Sequence, residues 1–550
     1  MTNKRKFLSL LLVLVMCLSV FAGCSKPAEE PAAPAEPTEP TEPAEPAEEP
    51  DSNEPVSEDD KFGGVITIAL SSSPKNLDPI MYTGTYESQV IGSVADTLVA
   101  YKHDLSGIAP NLATEWSTSE DGMVYTFKLR DDVYFQKGDY QDGKQLTAAD
   151  VKYALERSAT QSAMNRLGMV DHVDIINDFE VAIYLKEPSS AFLTVLTDAG
   201  NVIVPQEEVE GWGDSFGSHL VGTGPFTLEE FKKDQEVILA KNENYWAGTP
   251  YVDGVIFKII TDASQMTNAL RTGEIDIATD LGGESVKIVK DDADLIIQEV
   301  PGLHVAYMYM NLMNGPTADI KVREAIIRAV DIDEMVKGIY QFDEAQRAYL
   351  PLPPGSWGYD SSLESIVPSY DPELAKQLLT EAGYPDGFAL EIYVSNKAAR
   401  VKMATILQAY LKQNLNIDVE IKTSEWGTFS EIASSGQADM YGMSWTWYPD
   451  PFFFLNKMFH SSEIGALGNG QGYNNPEVDR LLDEALAITD TDERAVLYKE
   501  ALKLITENYS RINYSNEKSI FGFNPAVQDF EMRADGKIVV CSPEINVWMK

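Results

Sequence analysis

Asp-Met-Tyr-Gly-Met-Ser-Trp-Thr-Trp-Tyr-Pro-Asp-Pro-Phe-Phe-Phe-Leu-Asn-Lys-Met-Phe runs from Asp439 to Phe459. Its first half alternates. Tyr441, Met443, Trp445 and Trp447 fall on one side; Met440, Gly442, Ser444 and Thr446 fall on the other. A period of two with bulky groups on one side predicts a strand. Pro449 ends it, because proline has no N–H to give to a ladder. Asp450-Pro451 then opens a helix: aspartate caps free N–H groups, and proline tolerates the first helical position. Seven of the 17 residues from Met443 to Phe459 are aromatic, against 10% of the chain. Aromatics gathered where a strand becomes a helix predict the lip of a cleft, since ligands of α/β sheets sit beyond the carboxyl ends of strands.

The same exchange of strand and helix recurs in both directions along the chain. Phe62–Leu70 and Val124–Arg130 read as strands. Thr147 with Asp150 is a variant capping box. Val255–Ile260, a helix capped by Asp262, and Glu274–Ala278 make a βαβ unit of ordinary length. Later come an amphipathic helix over Val322–Asp331 followed by a fresh cap, and helices from Asp371-Pro372 to Gly383, near Lys402–Leu415, from Asn475-Pro476, and within Asp490–Tyr509. Strands at Ala389–Val394 and Asp418–Lys422 flank one of them. The fold class is α/β throughout, in two βα-rich lobes. Gly465–Gly472 lacks Gly-Lys-Ser/Thr and reads as a surface loop rather than a phosphate cradle.

A chain of 550 residues with 44% hydrophobic content supports two or three domains with large cores. Its formal charge of −43 argues against nucleic acid, which demands a basic surface. The acidity serves solubility before it serves ligand attraction. The cysteines are Cys17, Cys24 and Cys541, and the five histidines are scattered, so no metal box forms. Lys4-Arg5-Lys6, an apolar run over Phe7–Phe21, and Ala22-Gly23-Cys24 read as a secretory signal. Residues 27–60 hold 13 acids and nine prolines, and no base. Such a segment buries nothing and stays extended; in polyproline II form it reaches roughly 100 Å.

Several phrases together resemble the extracytoplasmic solute-binding proteins for peptides and nickel, the receptors that feed ATP-driven importers. They are Leu77-Asp78-Pro79; Ala113-x-x-Trp116; Leu146 to Val151; Gly222-Thr223-Gly224-Pro225-Phe226; Asn244-Tyr245-Trp246; Gly273-Glu274-Ile275-Asp276; and Val322-Arg323-Glu324-Ala325. The resemblance implies two lobes joined by a hinge and closing over a ligand, with an extra smaller domain. One lobe would take residues 61–80, 200–300 and 515–550, the extra domain 81–199, and the other lobe 301–514. The resemblance also implies a lipoprotein signal over 1–23. Cys24 would then be lipidated and lead the 24–60 tether, holding the protein at the outer side of a bacterial membrane. Two acyl chains hold a protein stably where one does not. The expected partners are a peptide or peptide-like solute and an ABC permease, with the chain a monomer and no cofactor or metal. Alternatives are an oligosaccharide or opine-like solute, or a cleft hydrolase.

In the peptide-binding members resembled here, an aspartate three residues before the Asp-Pro aspartate meets the peptide's amine. That place here is Trp447. Burying an ammonium without a counter-charge costs several kcal/mol, and an indole face returns about 1–2 kcal/mol. Trp445 and Trp447 are therefore expected to form an apolar stacking wall with Trp426, against the alternative that they fill core. Tyr82, beside Tyr86, is expected in a loop facing the cleft. Tyr309 and Asn311 are candidates where the second lobe begins. Asp450 is a candidate amine partner, weighed against helix capping. No catalytic residue is expected.

Overall fold

Apolar strands long enough to be covered on both faces organise the molecule. The computed structural model describes residues 57–550; the leader, Cys24 and most of the tether lie outside the described residues. Ten strands follow one another across the main sheet. In order they are Asp418–Ser424, Ala389–Ser395, Met440–Thr446, His304–Met310, Arg511–Phe523, Ile277–Ala278, Val65–Leu70, Gly254–Ile259, Glu236–Lys241 and Phe226–Lys232. The strands Ile296–Pro301 and Ala345–Arg347 also pair with Arg511–Phe523.

That long strand divides the sheet. Its first part, Arg511 to Ser515, pairs with His304–Met310. Its last part, Lys518 to Phe523, pairs with Ile296–Pro301. The chain therefore crosses between the two wings at Gly302-Leu303 and again at Asn516-Glu517. Gly302 permits the close approach there: a Cβ on it would stand 2.7 Å from the Glu517 carbonyl oxygen.

In one wing, helices cover both faces of the sheet. Met308, Met310 and Ile392 pack with Ile326, Leu407 and Leu411. On the opposite face Tyr307, Tyr309 and Tyr441 meet Phe454, Phe459 and Tyr473. Two-sided burial explains why His304–Met310 reads His-Val-Ala-Tyr-Met-Tyr-Met rather than alternating polar and apolar. Residues 113–185 form a separate antiparallel sheet, ordered Ala113–Thr118, Val124–Leu129, Glu180–Leu185, Val170–Asn177. The helix Ala148–Gln161 starts on the expected capping box of Thr147 and Asp150. Asp262, Asp371, Asn475 and Asp490 likewise cap the helices that the sequence predicts after them.

The glycine-rich stretch differs from expectation. Asn469 and Gln471 are fully buried, so its second half is core rather than surface loop. The glycines let backbone meet backbone: a Cβ at Gly470 would lie 1.8 Å from the Ala433 oxygen, and at Gly468 2.0 Å from the Lys457 oxygen. Among the described residues no helix is long and apolar enough to cross a membrane.

Candidate functional site

Parallel strands deliver their following loops to one edge, and here both wings do so toward the same place. Ala389–Ser395 lies parallel between Asp418–Ser424 and Met440–Thr446. Their carboxyl ends lead into Asn396, Trp426 and Trp447. Val65–Leu70 lies parallel between Gly254–Ile259 and Ile277–Ala278. The carboxyl ends of the first and last of these lead into Ser71 and Asp280. Thr446 pairs with His304, and Ala278 with Gly522 nearer the crossover than Ile277 with Phe523. Both sets of strand ends therefore point at the crossover. Such edges are where open α/β sheets take ligands.

One wall is aromatic. The Trp445 and Trp447 rings stack at 5.8 Å and 26°, and Trp447 stacks in turn on Phe453 at 5.7 Å and 15°. Trp445 Nε1 donates to the Phe453 carbonyl at 2.9 Å, which fixes the inner indole. Trp447 is left 43% exposed, and Trp426, resting on Phe429, 53% exposed. An indole fixed by neighbouring rings and still 43% exposed offers a rigid aromatic surface to a partner.

The strand ends of the other wing carry a carboxylate. Asp280 Oδ2 accepts from Ser71 Oγ at 2.9 Å and from the Tyr86 hydroxyl at 3.2 Å. Burial, with a further push from Asp280, raises the Tyr86 hydroxyl, so it stays a donor. Asp280 holds a left-handed backbone, φ 53°, a conformation that costs most non-glycine residues energy. Its partners are hydroxyls, and no base among the described residues pairs with it. It lines a cavity of ≈ 190 Å³ together with Tyr86, Gln89, Ser519, Phe521 and Gly536.

Asp535 also lines this cavity. Burial pushes its carboxyl up, but Arg533 and Lys537 outweigh that and hold it at about 2. A folded value below the ordinary ~3.9 adds stability above about pH 4, lost as pH falls toward 2. The contribution is on the order of 2 kcal/mol. In urea titrations, the wild type is expected to exceed Asp535→Asn by a constant margin above pH 5. That margin should shrink between about pH 4 and pH 2. A margin independent of pH would contradict the assignment.

The segment over residues 107–466 matches the family described as bacterial extracellular solute-binding proteins, family 5. The chain belongs to this family. It is 29% identical over 490 residues to haem-binding protein A of Haemophilus influenzae, covering 84% of this chain and 88% of that one. It is 29% identical over 461 residues to the dipeptide-binding protein of Escherichia coli, covering 78% and 85%. The ABC-transporter-associated periplasmic binding protein DppA of Helicobacter pylori, in complex with the peptide STSA, superimposes with a TM-score of 0.70 at 28% identity. That alignment covers 89% of this chain and 98% of the other. The two-lobed α/β architecture of this family 5 protein is thus the family's own.

Four expected site residues lie elsewhere in this family 5 protein. Tyr309 is fully buried, its hydroxyl donating to the Gly468 carbonyl at 2.6 Å. Asn311 organises a turn: its amide donates to Gly436 and Ala438, and its oxygen accepts from Met313 and Asn314. Two-sided burial left these residues no cleft face. Asp450 is buried and paired with Arg494 at 2.9 Å, while its Oδ1 accepts the Phe452 N–H at 2.9 Å. That places it in packing and capping rather than on a ligand. Tyr82 is buried at the seam between residues 81–199 and the Trp447 segment. It donates to Asp198 at 2.5 Å beneath Arg166, and Tyr448 donates to the same carboxylate. Burial first, then Asp198, pushes both hydroxyls up, so both remain donors.

Asp280, Ser71 and Asp198 were not singled out from sequence. Asp280 follows a two-residue strand, and its pairing with Ser71 spans 209 positions. A carboxylate just past Gly-Glu-Ile-Asp-Ile-Ala was the available signal.

Proposed function

We propose that this family 5 protein is the capture component of an ABC importer, closing its two lobes over a peptide or peptide-like solute and presenting it to a membrane permease. The observation that carries this reading is the pairing, at converging strand ends, of a half-bare indole tier with a carboxylate lacking a base. The ligand's ammonium would meet Asp280, and an apolar side chain would stack on Trp447. This division supplies the counter-charge that position 447 lacks. The hinge would be Gly302-Leu303 and Asn516-Glu517, so that residues 61–80, 200–300 and 515–550 move against 301–514, with 81–199 as the extra domain. Closure is driven by any solute that binds the closed form better than the open one. Cys24 would carry the lipid anchor, the acidic tether would give the monomer reach, and the cargo would leave chemically unchanged.

Calorimetry tests the reading, with protein stripped of ligand by unfolding and refolded. Short free-amine peptides are expected to bind at least tenfold tighter than their N-acetyl forms, and Asp280→Asn is expected to erase that preference. Equal binding of both forms by the wild type would remove Asp280 from the site. Binding of sugars or opines with none of peptides would remove the peptide reading.

A further inference from the structure

The densest set of unpartnered polar atoms lies far from the strand ends, on the tyrosine face of the sheet. Arg511 is 5% exposed. Its guanidinium sits over Tyr307 at 4.2 Å and Phe459 at 4.8 Å. Nη1 donates to the Tyr309 hydroxyl at 3.2 Å. Nε and Nη2 have no partner, and neither do the Tyr307 and Tyr441 hydroxyls, Gln471 Oε1 or Asn513 Oδ1. These side chains share one face: Tyr309 is the register partner of both Arg511 and Tyr441, and Tyr307 that of Asn513.

No carboxylate among the described residues pairs with Arg511. The groups around it are aromatic rings, a thioether and amides, so its positive charge is desolvated and unanswered. A buried charge in that state costs several kcal/mol. Water would satisfy its N–H groups but would not neutralise it. An acid in the cleft cannot serve, because the Gly468–Tyr473 backbone closes over the cluster through the Gly468 carbonyl that Tyr309 holds. The buried, glycine-tight stretch thus acts as a cover for this cluster.

We infer that a small monovalent anion, chloride in ordinary media, is bound inside this lobe by Arg511 Nε and Nη2 with the Tyr307 and Tyr441 hydroxyls. It is a structural ion, separate from the transported solute. Of the hydroxyls, Tyr309 is already committed to Gly468, which leaves Tyr307 and Tyr441 to turn their protons inward.

The test uses the full chain, unfolded in urea and refolded in chloride-free sodium gluconate. Sodium chloride added back at constant ionic strength is expected to raise the melting temperature by several degrees, saturably, as a ligand of the native state must. Sodium bromide should substitute, and crystals grown in bromide should show an anomalous peak beside Arg511. Arg511→Met, which removes the charge and keeps the volume, should abolish the halide response. If that variant does not fold, Tyr307→Phe should weaken the response in a folded protein. Equal melting temperatures in gluconate and chloride, or a bromide crystal with no peak at Arg511, overturn the inference.

Discussion

Trp447→Ala is expected to weaken solute binding tenfold or more while leaving the midpoint of urea unfolding nearly unchanged. The two halves of that expectation have separate causes. Trp447 stacks on both Trp445 and Phe453. Stacked aromatic pairs contribute about 0.5–1.5 kcal/mol beyond burial, and a ring 43% exposed forfeits little burial on truncation. Its exposed part, however, is the kind of rigid aromatic surface that dominates binding when a partner covers it, with losses of about 2 kcal/mol or more on removal. Trp445→Ala should differ. Trp445 is tied to the Phe453 carbonyl, so its loss should cost both stability and affinity. Calorimetry beside urea titration separates the two variants. Unchanged affinity in Trp447→Ala would show that the indole is only a cap on Phe453. Trp447→Asp adds a sharper contrast. It places a carboxylate where the resemblance puts one, and should strengthen the preference for free-amine over N-acetylated peptides.

The readable parts of this molecule are those that local chemistry writes. Caps such as Asp262, Asp371 and Asn475 announce helices within four residues, and the alternation from Met440 to Thr446 is a strand in the structure. The exposed indoles were legible as strand-end residues for the same reason. Trp426 and Trp447 each lie one or two residues past a strand end, so sequence order and position agree. Asp280 was not legible, because its partner Ser71 is 209 positions away and its strand has two residues. Tyr309 and Asn311 show the opposite failure. A strand covered on both faces gives each alternate residue a neighbour, and alternation alone does not say which face is wet. Asp450 shows a third: a carboxylate beside a cleft motif looks available until the Arg494 side chain, 44 positions on, arrives to claim it.

Asp450→Ala is expected to destabilise the fold by about 3–5 kcal/mol, the cost of leaving one member of a buried ion pair alone. Side-chain exposure is 5% for Arg494 and 1% for Asp450. Burial pulls the Arg494 guanidinium down, and Asp450 with Tyr498 more than reverses it. Without Asp450, the guanidinium keeps the Trp357 and Tyr498 rings and the Tyr498 hydroxyl, but no negative charge. Thr194 would lose a partner at 3.3 Å, loosening residues 81–199 from this helix start. Replacing both members, as in Asp450→Leu with Arg494→Met, should recover most of the loss, since two apolar side chains of similar volume leave no charge unpaired. The same residue read as an amine anchor makes the reverse prediction. Asp450→Asn would then abolish peptide binding at nearly full stability, and the double variant would bind no better. Stability recovered by the double variant, with affinity intact, decides for packing.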